Sequence, residues 1–146
     1  MGKEMKILTV VGARPQFIKA AVMSRAIRKH NENNANKIQE VIVHTGQHFD
    51  SNMSEVFFDE LAMDTPKYNL QIGQKIKDKP TTATQLSAML IGIEEIITSE
   101  KPDIALLYGD TNSTLAGALM GAKMRMPIAD VEAGVRNYDM HNVEEQ

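Results

Sequence analysis

The chain has 146 residues, 42% of them hydrophobic and 24% charged, an ordinary globular composition and enough length for one core and one domain. Sixteen Lys and Arg against nineteen Asp and Glu leave a net charge of −3, which argues against a protein that wraps nucleic acid. There is no cysteine, so disulfides, cysteinyl zinc sites and thiol nucleophiles are excluded. No apolar run approaches the roughly 18–20 residues of a spanning helix, and the apolar stretch near the N terminus is too short for a signal peptide. A soluble cytoplasmic chain without a membrane partner is the expectation.

Residues 6–11 (KILTVV) read as a buried strand ended by Gly12. Residues 16–30 carry Ile18, Ala21, Val22, Ala26 and Ile27 at mostly helical spacing, and Pro15 suits a helix start. A polar turn over 31–36 leads into a second strand at 38–44. Val56, Phe57 and Leu61 share one face of a helix predicted over 52–63. Residues 68–79 lack a periodic pattern and are assigned to a loop. Residues 81–99 form the longest helical pattern, followed by a third strand at 104–108, an Ala/Leu/Met-rich helix over 111–125 and a fourth strand at 127–131. Strands alternating with helices call for parallel crossovers, hence an α/β fold with a doubly wound parallel sheet.

In such a sheet ligands bind beyond the carboxyl ends of the strands, so the residues just after each strand matter most. They are Gly12-Ala13-Arg14-Pro15 with Lys19 one turn on, Thr45-Gly46-Gln47-His48, Gly109-Asp110-Thr111, and Glu132-Ala133-Gly134-Val135-Arg136. A glycine turn entering a helix offers free amides to an anion, and Arg14 adds a bidentate phosphate donor. Each cluster also has a plainer reading. Gly12 suits any turn, Asp110 suits a helix cap, and Glu132 needs a partner that Arg136 can supply. The histidines make a weak metal signal, and neither a G-x-G-x-x-G nor a P-loop motif is present. The triplet Asn112-Ser113-Thr114 is read as an accidental glycosylation pattern.

Taken in order, these residues resemble the non-hydrolysing UDP-N-acetylglucosamine 2-epimerases. Residues 12–19, GARPQFIK, are similar to the opening G-T-R-P-E-x-I-K motif of that family, and TGQH at 45–48 matches a later one. GDT at 109–111, VEAGVR at 131–136 and the pair Glu144-Glu145 come next in the same order. Departures are Ala13 for threonine, Gln16 for glutamate, Val143 for proline and Asp130 where histidine is common.

The resemblance implies the N-terminal half of a glycosyltransferase-B type fold, with residues 1–146 forming a Rossmann-like domain and the nucleotide-gripping domain absent from this chain. It implies interconversion of UDP-GlcNAc and UDP-ManNAc by elimination and re-addition of UDP, with no cofactor and no metal. Asp110, Glu132 and Glu144 are then the acid/base groups, with the individual roles unassigned. Arg14 and Lys19 face the diphosphate, Gln47 and His48 contact the nucleotide sugar or an effector, and Arg136 lies on the substrate side. A full-length parent is expected to be a homodimer in cell-envelope polysaccharide synthesis, and this chain alone to be inactive. A non-catalytic sugar-nucleotide-binding or assembly module, or a glycosyltransferase of the same architecture, is the alternative.

Overall fold

The computed structural model describes residues 4–47 and 55–141. Five parallel strands form one sheet in the order β3-β2-β1-β4-β5. Central β1 (Met5–Val11) pairs along its whole length with β2 (Ile38–His44), and on its other side with β4 (Ile104–Tyr108). β5 (Ile128–Val131) closes one edge and β3 (Tyr68–Asn69) the other. The sheet is therefore the doubly wound α/β architecture expected from the alternation of elements. Among the described residues no helix is long and apolar enough to cross a membrane.

Alternate residues of each strand feed two separate cores, as a twofold side-chain period requires. Leu8, Val10, Val41, Val43, Ala105 and Leu107 pack under α4 (Thr82–Glu100) and α5 (Asn112–Lys123). Val11, Ile42, Leu106 and Tyr108 pack under α1 (Arg14–Asn33) and α2 (Glu55–Glu60). Helices thus cover both faces, which explains why β1, β2 and β4 read as nearly continuous apolar runs.

Two local features differ from the sequence reading. The stretch assigned to a loop contains β3 and one helical turn, α3 (Ile72–Lys75). Both are too short to leave a periodic signal, and β3 exists through its pairing with Val43 and His44. α1 is rotated from its expected face. Phe17, Ala20, Ala21, Ser24 and Ile27 are buried, whereas Ile18 and Val22 are exposed. Small residues facing the sheet let the helix lie close to it, with Phe17 filling the remaining depth. α5 repeats that choice, burying Ala116, Gly117 and Gly121 while Leu115 and Leu119 face outward. The predicted helix over 52–63 is described only from Glu55, so its first three residues lie outside the described set.

One ion cluster joins elements far apart in sequence. The Glu100 carboxylate at the end of α4 accepts from Lys67 Nζ at 2.5 Å, Tyr68 Oη at 2.5 Å and Lys6 Nζ at 3.1 Å. The Lys67 hydrogen bond, then those of Tyr68 and Lys6, hold its carboxyl down from 4.5 to about 2. A carboxyl depressed in the folded state contributes stability above its unfolded pKa and loses it as pH falls through the folded value. Denaturant titration at a series of pH values should therefore find wild type more stable than Glu100→Gln at pH 7. That difference should shrink from about pH 4.5 downward and vanish near pH 2. A gap unchanged across this range would refute the assignment.

Candidate functional site

The strand order places a topological switch point between β1 and β4, because the chain winds outward in opposite directions from these two strands. Ligand crevices of open α/β sheets form at such a point, outside the carboxyl ends. Here the flanking turns are Gly12-Ala13 after β1 and Gly109-Asp110 after β4. A cleft of about 620 Å³ opens beside them, lined by Gln47, Asp110, Thr111, Asn112, Thr114 and Leu115.

The turns interlock closely. A Cβ on Gly12 would overlap Ser113 Oγ and lie 2.5 Å from Thr45 Oγ1, so only glycine lets the three segments meet. Ser113 Oγ lies 2.8 Å from Thr45 Oγ1 and donates to Gln47 Oε1 at 2.7 Å. Asn112 Nδ2 donates to Gln85 Oε1 at 2.7 Å, and Gln85 Nε2 to the Gln47 carbonyl at 3.2 Å. The triplet read as an accidental glycosylation pattern is thus the polar first turn of α5, bonded to the turn after β2 and to α4.

Gln16 stood out in the sequence only as a departure from glutamate. It is buried, and its Oε1 accepts from the Gly12 and Ala13 amides at 2.7 and 3.1 Å. Those amides were expected to be free for an anion. They are already engaged by the Gln16 side chain, and the cation of this turn is the Arg14 side chain. Its guanidinium carbon lies 4.8 Å from the centre of the Phe57 ring, a cation–π contact that aims it. Phe57 in turn packs edge-on against Phe17 and Phe58.

Asp110 is exposed and is not the cap of α5. That position belongs to Thr111, whose hydroxyl accepts from the Thr114 amide. Glu132 reaches back over the β4 turn, its Oε2 3.5 Å from the position of a Cβ on Gly109, a residue with φ +70. Its ion-pair partner is Lys19, with Nζ 2.5 Å from Oε2, while Arg136 lies over the Tyr138 ring at 5.8 Å. Both members of the Lys19–Glu132 pair are about two-fifths exposed, so it adds little stability; its effect is to set the two groups in place. Glu132 also has φ +79, a left-handed backbone that is costly for a non-glycine residue and that concentrates at functional sites.

Asp130 joins this group. Burial, with Glu132 and Asp110 nearby, pushes its carboxyl up from the usual range, and the Gly109 amide pulls the other way. The sequence registered it only as a departure from histidine. Of the candidate residues, Arg14, Lys19, Gln47, Asp110 and Glu132 share this edge, and Arg136 follows β5. His48 and Glu144 lie outside the described residues. Among the described residues there is no cluster of His, Asp and Glu arranged to hold a metal ion.

A Rossmann-like sheet with cations and carboxylates at its switch point defines an α/β protein of the doubly wound class. Comparison with known proteins narrows that class. The profile of the UDP-N-acetylglucosamine 2-epimerase family matches residues 30–146, and the chain belongs to that family. It is 53% identical over 97% of its length to a UDP-N-acetylglucosamine 2-epimerase homolog of Methanococcus maripaludis. It is 51% identical, again over 97%, to a UDP-2,3-diacetamido-2,3-dideoxy-D-glucuronate 2-epimerase of Pseudomonas aeruginosa. The fold matches the crystal structure of Methanocaldococcus jannaschii UDP-GlcNAc 2-epimerase in complex with UDP-GlcNAc and UDP, with a TM-score of 0.79 and 42% identity over 97% of this chain. The chain spans 36% of the Methanococcus relative, 37% of the Pseudomonas one and 36% of the solved structure.

The Gly12 contact yields a direct test. Gly12→Ala should cost about 1–3 kcal/mol in chemical denaturation, as for overpacking a tight interior. Adding Ser113→Ala should restore part of that loss, because the two changes share one space. Strict additivity of the two would contradict the close approach.

Proposed function

We propose that these 146 residues are the N-terminal Rossmann-like domain of a two-domain, glycosyltransferase-B type enzyme that inverts C2 of a UDP-linked 2-acetamido sugar. UDP-GlcNAc and UDP-ManNAc are the leading pair. The observation that carries this reading is the Lys19–Glu132 pair at the switch point, its carboxylate lying over the Gly109 turn that leads into Asp110. The names of the relatives, all 2-epimerases of UDP-sugars, support it.

C2 carries no activating carbonyl, so direct exchange of its proton is slow. Elimination avoids that barrier. A carboxylate takes the C2 proton, the C1–O bond breaks, UDP departs and a C1=C2 double bond forms. Protonation of C2 from the opposite face and return of the UDP oxygen to C1 complete the inversion. This requires acid/base groups near both faces of the sugar and cations at the departing diphosphate. Asp110, Glu132 and Glu144 are assigned the proton transfers, with their individual roles open. Arg14 and Lys19 are assigned the diphosphate side, and Gln47, His48 and Arg136 the rest of the nucleotide sugar. The route contains no redox step and needs no cofactor.

The enzyme is proposed to act in the cytoplasm and as a homodimer, the dimer supported by outward-facing Ile91 and Leu119 on α4 and α5. A second sugar class has a specific observation in its favour. The relative named for UDP-2,3-diacetamido-2,3-dideoxy-D-glucuronate shares 51% identity, against 42% for the solved UDP-GlcNAc 2-epimerase. Both readings place the chemistry at C2.

Turnover of each nucleotide sugar in D2O by an enzyme containing this domain separates the two. The true substrate should return with deuterium at C2, and inversion without label would exclude elimination and re-addition. Asp110→Asn should slow the reaction by roughly two or more orders of magnitude, as for loss of an acid/base group.

The 146 residues alone supply one wall of the cleft, with little to recognise uracil. Orientation from a single wall is weak. Calorimetric titration of this chain with UDP-GlcNAc should show little heat. Low-micromolar binding would mean that this half is self-sufficient.

A further inference from the structure

The residue that links the two turns of the crevice is absent from the assigned site. Gln16 sits at the third position of α1, 4% exposed. Its Oε1 takes the amides of Gly12 and Ala13, on the approach to Arg14. Its Nε2 donates to the Tyr108 carbonyl at 2.6 Å and to Thr111 Oγ1 at 2.9 Å, with Thr114 Oγ1 at 3.2 Å. Tyr108 and Thr111 bracket Gly109 and Asp110. One carboxamide therefore spans from the Arg14 turn to the Asp110 turn, between segments 92 or more residues apart.

The hydrogen-bonding capacity of the side chain shows what the amide supplies in this chain. Oε1 has two lone pairs and both are used; Nε2 has two hydrogens and three acceptors in reach. The Tyr108 carbonyl also accepts from Thr114 Oγ1 at 2.9 Å. An ionised carboxylate in this place keeps the acceptor half but puts oxygen against the Tyr108 carbonyl oxygen with no hydrogen between, whereas a protonated carboxyl keeps one donor. A methionine keeps the shape and loses both halves.

We propose that Gln16 is a positioning residue of the candidate site, its neutral carboxamide setting the separation of Arg14 and Asp110 by bonding both turns at once. This rests on the reading that Arg14 and Asp110 serve one reaction, but the clamp itself is a property of the chain without substrate. Among the described residues, the charged and titratable side chains at this edge are Arg14 and Lys19 on α1, Asp110 after β4, Asp130 and Glu132 at the end of β5, and Arg136 beyond it. Tyr108 and His44 end β4 and β2.

The test uses this 146-residue chain, wild type, Gln16→Met and Gln16→Glu, by NMR without ligand. In Gln16→Met, the Gly12 and Ala13 amides should exchange at least about fivefold faster, the effect of losing one ordinary hydrogen bond. The Asp110 and Thr111 shifts should move as well, while exchange at Leu8 and Val10 stays unchanged. Gln16→Glu should split the two halves. Gly12 and Ala13 keep their protection, whereas Gly109, Asp110 and Thr111 shift with pH as the introduced carboxyl loses its proton. That split, with one turn rescued by the conservative variant and the other not, is something a general loss of packing does not produce. Wild-type shifts at Asp110 and Thr111 in both variants across pH 4–8 would overturn the proposal. So would uniform loss of protection through β1 and β4 in Gln16→Met together with wild-type behaviour of Gln16→Glu. Failure here leaves the epimerase reading standing, and failure of deuterium incorporation leaves the clamp standing.

Discussion

Where β1 ends there is no room for a side chain, and the arrangement of the crevice depends on that. Gly12 lets Thr45 from the β2 turn and Ser113 from the first turn of α5 close over the same backbone. Those two hydroxyls meet each other because nothing stands between them. The strand register makes this possible. Val11 is level with His44, and the Thr45 amide bonds the Val11 carbonyl at 2.9 Å, so β1 and β2 deliver their turns at the same height. Parallel direction then brings Asp110 and Glu132 to the same edge from β4 and β5. The candidate residues reach that edge on turns whose backbone and hydroxyls pack together beneath them.

How much of this was legible in the sequence depended on length and burial. β1, β2 and β4 are apolar on both faces, and each was readable as a run ended by a glycine, or by threonine and glycine. β3 was not readable, because two residues carry no pattern and its pairing with Val43 and His44 is a tertiary fact. The helical faces misled for a physical reason. Periodicity follows large apolar residues, while α1 turns Ala20, Ala21 and Ser24 toward the sheet beside Phe17 and Ile27 and leaves Ile18 and Val22 outside; α5, for which no face was read, does likewise with Ala116, Gly117 and Gly121. Close approach of helix to sheet outweighed side-chain volume.

The site was legible as a set of turns and less so as a set of interactions. Parallel strands alone require that Arg14, Asp110 and Glu132, each just past a strand, lie on one edge. The sequence did not supply the partner of Glu132, for which Lys19 replaces the neighbouring Arg136. Nor did it reveal the role of Gln16, whose meaning lies in contacts 92 to 98 residues away. The one local signal was the pattern of helix capping, since a glutamine at the third position can reach back to the amides that open the helix.

The edge that results is electrostatically uneven. Asp110, Asp130 and Glu132 crowd the ends of β4 and β5, and the burial and like charge that raise the Asp130 carboxyl oppose stable packing there. Glu132 adds an unfavourable backbone at φ +79. Opposing these are one exposed lysine and the hydrogen bonds of a neutral amide. An arrangement selected for stability alone would place neutral residues and a glycine at these positions. Keeping the carboxylates together, on a strained turn whose neighbours are tied from beneath, is the kind of unfavourable arrangement that function rather than stability selects. The hydrogen-bonded layer below, from Gln16 to Thr45 and Ser113, ties together the turns that carry the unfavourable layer above it.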